Sequence, residues 1–561
     1  MAAHRAAITR EKNYMAELNG GQIVGRQLKA AGIDTAFGVV AGPMIEVMAG
    51  MQEAGINVIS CRHELNACFM ASAWGYINKK PGIVVAGSGP AVTNTVTGLH
   101  VATDSGMPLV VLGGSAHGRN RGWGGFQELD QVAFAKPGAK WTATVDSTDR
   151  IPEYLHIGMG KAMAGRPGGV YIDFPGNLIR RPVAEEDVSF RNTSLIQSLP
   201  HPDPQAVDTL AGMLANAERP LLLIGKGAAW SDAGPALTEL VNRGLPYVSS
   251  PMGRGVIPDD NPMCMNAARS AALSGADVVL MVGGRFNWIF QFGRPPRFAE
   301  DVRIAQIDIE QEEFTSAANL ELGITADCAV AVAELNDAIG KREIRAASTG
   351  WLDQLRESSV KNESSIGEAM ASDEQPINHY RLLRDVRDVV DRETALSVDG
   401  ELTMGIARAV LPSYNARLML NSGTTGCMGT GLPYAMGAKL ARPDFPSVAV
   451  LGDYAFGAAA IEVETAARCN IPAVFVVSNN AGIAGHSIQD RLFGEDAPPV
   501  AALLPVDYER MADMVGGYSR RVTDPSDIQP AIRDAIQADK VSVINVLTDP
   551  KGARRGAAYL G

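Results

Sequence analysis

Residues 448–482, VAVLGDYAFGAAAIEVETAARCNIPAVFVVSNNAG, decide how this chain folds. An apolar run of strand length ends at Gly452-Asp453. A helical segment over about 458–469 follows, with Ile461, Val463, Ala466 and Ala467 as its expected buried face. A second apolar run, 473–477, ends at Ser478-Asn479-Asn480. Strand, helix, strand at this spacing predicts a parallel βαβ unit, whose strand ends share the carboxyl edge where α/β sheets bind ligands. Asp453 and Asn480 are then neighbours, one offering a carboxylate and the other an amide oxygen. Mg2+ takes oxygen ligands and usually shares its shell with waters and a phosphate, so the pair suits it. Either residue alone reads equally well as an ordinary turn residue.

Outward from this unit the same alternation repeats. At 561 residues the chain exceeds a single core, which predicts about three domains. TAFGVV, GIVVAGSGPAVTN, MPLVVLGGS and GGVYIDFP in the first third, and RPLLLIGKG, ADVVLMVGG and VRIAQID in the middle, are buried-strand runs ending in glycine or acidic turns. The polar, Pro-rich stretch at 181–205 reads as a linker, and the charged stretch at 341–378 as an exposed helix and a second linker. The expectation is an α/β protein of three doubly wound parallel-sheet domains, 14–186, 203–345 and 375–561. GSGPAVTN lacks the third glycine of a dinucleotide fingerprint. A net charge of −12 argues against general nucleic-acid binding. No apolar run approaches the roughly 18 residues of a membrane span, and the first residues carry no apolar signal core. Six cysteines without a C-x-x-C pair read as buried free thiols, so the expected location is the cytoplasm.

The pattern G-D-x-A-F-G, E-V-E-T, N-I-P, N-N-x-G resembles the diphosphate-anchoring motif of thiamine-diphosphate (ThDP) enzymes. The resemblance implies that Asp453, Asn480 and the carbonyl of Gly482 hold Mg2+, with Gly452, Tyr454, Ala455 and Ile483 among the cofactor-binding residues. Two positions depart from the family: Tyr454 stands where a glycine is usual, and Ala481 where a third asparagine is usual. R-H-E followed by an Ala-rich helix is similar to the pyrimidine-binding domain of these enzymes, which makes Glu64 the partner of the aminopyrimidine N1′. Taken alone, Glu64 is an ordinary first-turn acid. The G-x-M-G element implies that Met428 wedges under the cofactor and that Gly426 offers a carbonyl to its 4′-amino group.

Within that superfamily, G-x-R-x-N-W-x-x-x-F-G-x-P-P-R at 283–297 resembles 2-hydroxyacyl-CoA lyases and, less closely, oxalyl-CoA decarboxylases. An arginine-containing surface loop is the plainer alternative. The group implies a ThDP- and Mg2+-dependent carbon–carbon lyase that cleaves a short 2-hydroxyacyl-CoA, first choice 2-hydroxyisobutyryl-CoA, to formyl-CoA and an aldehyde or ketone. An oxalyl-CoA decarboxylase and an acetolactate-synthase-like carboligase are the rival expectations. Phe126-Gln127 favours the lyase, since decarboxylases of the group place Tyr-Glu there; packing by Phe126 and a surface Gln127 is the bland reading. Lys226, Arg285 and Asp308 match the strand-end positions that line an ADP-type pocket in the middle domain. Lys551, Arg554 and Arg555 are expected to meet CoA phosphates. Glu495, with His486 as an alternative, is the candidate to take the substrate's 2-hydroxyl proton. The resemblance further implies a homodimer or homotetramer whose active sites are shared between subunits.

Overall fold

The computed structural model describes residues 17–191, 198–340, 342–346, 349–483, 494 and 501–554. Glu495, His486 and Arg555 lie outside the described residues. Three parallel sheets organise the chain. The first is six-stranded, in the spatial order Asn57–Ser60, Thr35–Gly38, Gly82–Ala86, Leu109–Ser115, Gly169–Pro175, Trp141–Thr144. The second is five-stranded: Tyr247–Ser249, Pro220–Ile224, Val278–Val282, Arg303–Asp308, Leu320–Thr325. The third is six-stranded: Met419–Leu420, Ala395–Asp399, Ser447–Gly452, Val474–Asn479, Ser542–Leu547, Tyr518–Val522. Central strands such as Gly82–Ala86 and Leu109–Ser115 are buried along their whole length, as strands covered by helices on both faces must be.

The first and third sheets share one apolar core, which the helices Glu64–Asn78 and Gly431–Ala441 join. The two helices touch almost backbone to backbone. A Cβ on Gly437 would lie 2.3 Å from the Met70 carbonyl oxygen, so only glycine permits the approach. Phe69 and Tyr434 pack edge to face beside it, ring centroids 5.9 Å apart. This helix pair fixes where the first domain sits on the third.

The stretch quoted at the outset differs from its sequence reading in one respect. The helix is two pieces, Asp453–Ala459 and Glu462–Arg468, and the first starts directly at the strand end. The break at Ala460-Ile461 leaves Ile461 exposed and turns Glu462 inward, so Ile461 is not part of the buried face. The helix expected within 341–378 is Trp351–Ser365; the apolar side of its first turn is buried on the middle domain, where Trp351 Nε1 donates to the Pro220 carbonyl at 3.3 Å. Of the cysteines, 61, 68 and 328 are buried, whereas 264, 427 and 469 are only half-buried, and all six are free. Among the described residues, no helix is long and apolar enough to cross a membrane.

Candidate active site

Strand pairing places Gly452 opposite Ser478, so Asp453 and Asn480 follow the ends of adjacent parallel strands. The two turns touch: Gly482 N–H donates to Asp453 Oδ2 at 3.2 Å, and Tyr454 N–H to Oδ1 at 2.6 Å. Burial pushes the Asp453 carboxyl up to about 6, against the pull of the backbone N–H groups that face it. Among the described residues no cationic side chain pairs with it. Asn479 is committed to the scaffold, donating to the Val506 carbonyl and to Asn545 Oδ1. Asn480 is buried, and its amide has no hydrogen-bond partner among the described residues. One desolvated carboxylate and one uncommitted amide beside a turn carbonyl are a donor set that fits Mg2+ carrying a diphosphate. Ala481 takes the left-handed conformation, φ 53°, which asparagine or glycine adopts more easily.

The loop before the Gly431–Ala441 helix has Gly426 and Gly429 in the left-handed region. Met428 projects from it, 40% exposed, rather than filling the core. Asp399, which sequence reasoning missed, holds the loop from below. It is buried at the end of its strand and accepts from Gly400 N–H at 2.7 Å and Gly431 N–H at 2.8 Å. Its signal was the strand-end Asp-Gly of SVDGE.

In the first domain Glu64 opens the helix Glu64–Asn78, behind an N-cap His63 whose Nδ1 accepts from Leu65 N–H. The Glu64 carboxylate is buried and accepts from Asn94 Nδ2 at 3.0 Å. Gln127 sits at φ 55° and accepts from Ser88 Oγ at 2.6 Å. Its loop shows Trp123 87% and Phe126 85% exposed, so Phe126 packs in no core of this chain. Among the described residues, neither Glu64 nor Gln127 hydrogen-bonds Asp453, Asn480 or Met428.

Lys226, Arg285 and Asp308 do come together, around a cavity of about 730 Å3 where the three domains meet. Two of them are already engaged. Lys226 Nζ donates to the Gly106 carbonyl at 2.6 Å and lies 3.9 Å from the Tyr76 ring centroid. Arg285 pairs with Asp104 at 3.1 Å and donates to Thr424 Oγ1 at 3.0 Å, while Trp288 Nε1 donates to the Thr424 carbonyl. Arg285 and Trp288 therefore make the start of the segment 283–297 an interdomain joint, while residues 294–296 stand exposed. Asp308 accepts from Glu310 N–H, and burial raises its carboxyl to about 6.

A second cationic group was not legible in the sequence. Arg254 and Arg269 of the middle domain converge on Arg408 and Arg554 of the third. Burial, with the neighbouring guanidinium groups, pushes both Arg269 and Arg408 down to about 9. The carboxylates at hand are Asp259, paired with Arg254, and Glu401, 3.6 Å from Arg554. Crowded guanidinium groups of this kind suit phosphates. His379 anchors the approach of the tail. Its ring bridges Ser478 Oγ and the Asp549 carbonyl, 3.0 Å from each.

Comparison with known proteins agrees with this geometry domain by domain. Residues 18–134 match the thiamine pyrophosphate enzyme N-terminal TPP binding domain, 207–335 the central domain and 399–546 the C-terminal TPP binding domain. The chain belongs to the thiamine pyrophosphate enzymes, in the group of 2-hydroxyacyl-CoA lyases and oxalyl-CoA decarboxylases. It is 32% identical to 2-hydroxyacyl-CoA lyase 1 of Homo sapiens over 97% of this chain and 96% of that protein. It is 34% identical to 2-hydroxyacyl-CoA lyase of Oryza sativa subsp. japonica over 96% of this chain and 97% of that protein. Oxalyl-CoA decarboxylase of Escherichia coli (strain K12) is also 34% identical, over 95% of each chain. Its relatives identify the chain as a ThDP lyase.

Proposed function

We propose that the enzyme cleaves the C1–C2 bond of a short 2-hydroxyacyl-CoA, releasing formyl-CoA and an aldehyde or ketone. ThDP, when bound, supplies the carbon nucleophile and the electron sink for that cleavage. The chain's residues do the rest. Asp453, Asn480 and the Gly482 carbonyl hold Mg2+ and through it the diphosphate. Glu64 holds a proton at the aminopyrimidine N1′, and Met428 with the Gly426 carbonyl sets the cofactor's shape. Arg269, Arg408 and Arg554 take the CoA phosphates. The 2-hydroxyl proton leaves to Glu495, or to His486, and a proton is returned to the carbon that becomes formyl.

The observation that carries lyase over decarboxylase is Phe126-Gln127. Ser88 engages the Gln127 amide oxygen, which leaves the Nε2 donor for a substrate oxygen, and the Phe126 ring beside it offers an apolar wall. An unpaired carboxylate against such a wall costs on the order of several kcal/mol, whereas a departing ketone does not. The oxalyl-CoA decarboxylase reading is kept alive by the 34% identity to the Escherichia coli enzyme. Mass spectrometry of the CoA products separates the two after incubation with ThDP, Mg2+, oxalyl-CoA and a panel of 2-hydroxyacyl-CoAs. Higher kcat/KM on a short substrate such as 2-hydroxyisobutyryl-CoA, with acetone formed, supports the lyase. Preference for oxalyl-CoA with CO2 and no carbonyl product overturns it.

The exposed Trp123 and Phe126 support a homodimer or homotetramer whose sites take Glu64 from one chain and Asp453 from another. Mixed Glu64→Gln and Asp453→Ala subunits then recover part of the activity. The three-domain cavity, with Asp308 at its strand end, is assigned to a nucleotide of the ADP type.

A further inference from the structure

The turn that presents Glu64 is gripped by the third domain of its own chain. Glu462 is fully buried, and its carboxylate faces only donors. Oε1 accepts from Arg62 N–H and His63 N–H at 3.1 Å each and from Asn66 Nδ2 at 3.0 Å. Oε2 accepts from Arg62 N–H at 3.2 Å and Thr465 Oγ at 2.6 Å. Two more contacts come from the same short helix. Arg468 Nη2 donates to the Ser60 carbonyl at 2.7 Å, and Glu464 lies 3.7 Å from the Arg62 guanidinium. The segment 60–66 is therefore clamped on both sides of Glu64, from residues about 400 positions away in sequence.

We propose that Glu462 is a positioning residue for Glu64. A buried carboxylate without an ion pair is costly unless its lone pairs are filled, and here backbone and amide N–H groups fill them. In return it fixes the peptide planes at Arg62 and His63, and with them the first turn of the helix on which Glu64 stands. An amide keeps much of the arrangement, because its oxygen can stand for Oε1 and its N–H2 can donate to the Thr465 hydroxyl, whereas Glu462→Ala removes every acceptor. The inference rests on the reading that Glu64 serves N1′ of the cofactor.

The test uses full-length Glu462→Ala and has two readouts. In the ligand-free protein, amide hydrogen exchange at Arg62 and His63 rises at least ten-fold, while strands of the third sheet keep their protection. With ThDP and Mg2+ bound, exchange of the thiazolium C2 proton slows at least ten-fold, while cofactor affinity, set at Asp453 and Asn480, stays within three-fold. Glu462→Gln, which keeps the oxygen that accepts from Arg62 and His63, restores most of both readouts. Asn66→Ala, which removes one donor only, gives smaller changes of the same sign and replaces Glu462→Ala if that variant does not fold. Unchanged amide exchange at 62–63 in a folded variant overturns the proposal. So does normal C2-proton exchange in Glu462→Ala when Glu64→Gln has lost it. Normal exchange in Glu64→Gln itself points instead to failure of the cofactor reading.

Discussion

Two segments of the first domain bear on the proposed chemistry, and the structure treats them in opposite ways. The turn at 60–66 is buried and held by Glu462 and Arg468 from the third domain. The loop from Trp123 to Glu128 projects outward, held by Ser88 at Gln127 and by Glu128, which accepts from the amides of Gly122 and Gly125. The difference matches the tasks assigned to them. A proton-holding carboxylate must stay within tenths of an ångström of one cofactor atom, so its backbone is fixed before any ligand or partner arrives. A loop that recognises substrate variation needs no such fixing within the chain, and its two large rings wait for another surface to cover them.

Glu64→Gln should have the largest effect. The amide still accepts a hydrogen bond but cannot favour a protonated N1′, and turnover is expected to fall by about 10²–10⁴-fold, the range of general acid–base effects. Steady-state kinetics with ThDP bound checks it, and near-normal kcat would remove Glu64 from the site. For the other segment, Trp123→Ser with Phe126→Ser is expected to weaken subunit association at least ten-fold. Each large side chain buried at an interface is worth about 1.5–3 kcal/mol. Sedimentation over a concentration series reads the change, and an unaltered profile means that these rings face no partner.

The metal turn sharpens the comparison through pH. The Asp453 carboxyl is raised from 3.8 to about 6 in the folded, metal-free protein. Its contribution to stability is therefore fully present below pH 3.8 and is lost as pH rises through about 6. Mg2+ needs the ionised form, so its affinity falls about ten-fold per pH unit below 6. Titration with Mg2+ and ThDP at pH 5 and pH 7 tests this, and Asp453→Asn should flatten what remains of the dependence. A further test concerns the helix joint that carries the Glu64 turn. Gly437→Ala pushes a methyl against the Met70 carbonyl and should cost about 1–3 kcal/mol in urea unfolding. No loss there would show that the two helices can separate without consequence.

Much of the architecture was legible because its signals are local. Apolar runs ending in Gly-Asp or Ser-Asn-Asn mark strand ends, and parallel strands put their carboxyl ends on one edge, so Asp453 and Asn480 could be paired from sequence spacing alone. The helical period failed at Ile461, where a two-residue break, invisible to periodicity, turned Glu462 inward instead. Lys226 and Arg285 were placed at the correct strand ends, but their partners, Gly106, Asp104 and Thr424, belong to other domains.

The class of fold and the chemistry of each strand end could be read from sequence, since both depend on residues within a single βαβ unit. Only the tertiary structure decided which ends meet. Glu462 reaches a turn 400 residues before it, and Thr424 a carboxylate 320 residues before it. Arginines from two domains face one another without any shared motif. The exposure of Phe126 was equally unreadable, because a phenylalanine in a glycine-rich loop has the same local signal whether it packs inward or stands in water. Burial is a property of what the rest of the chain leaves uncovered.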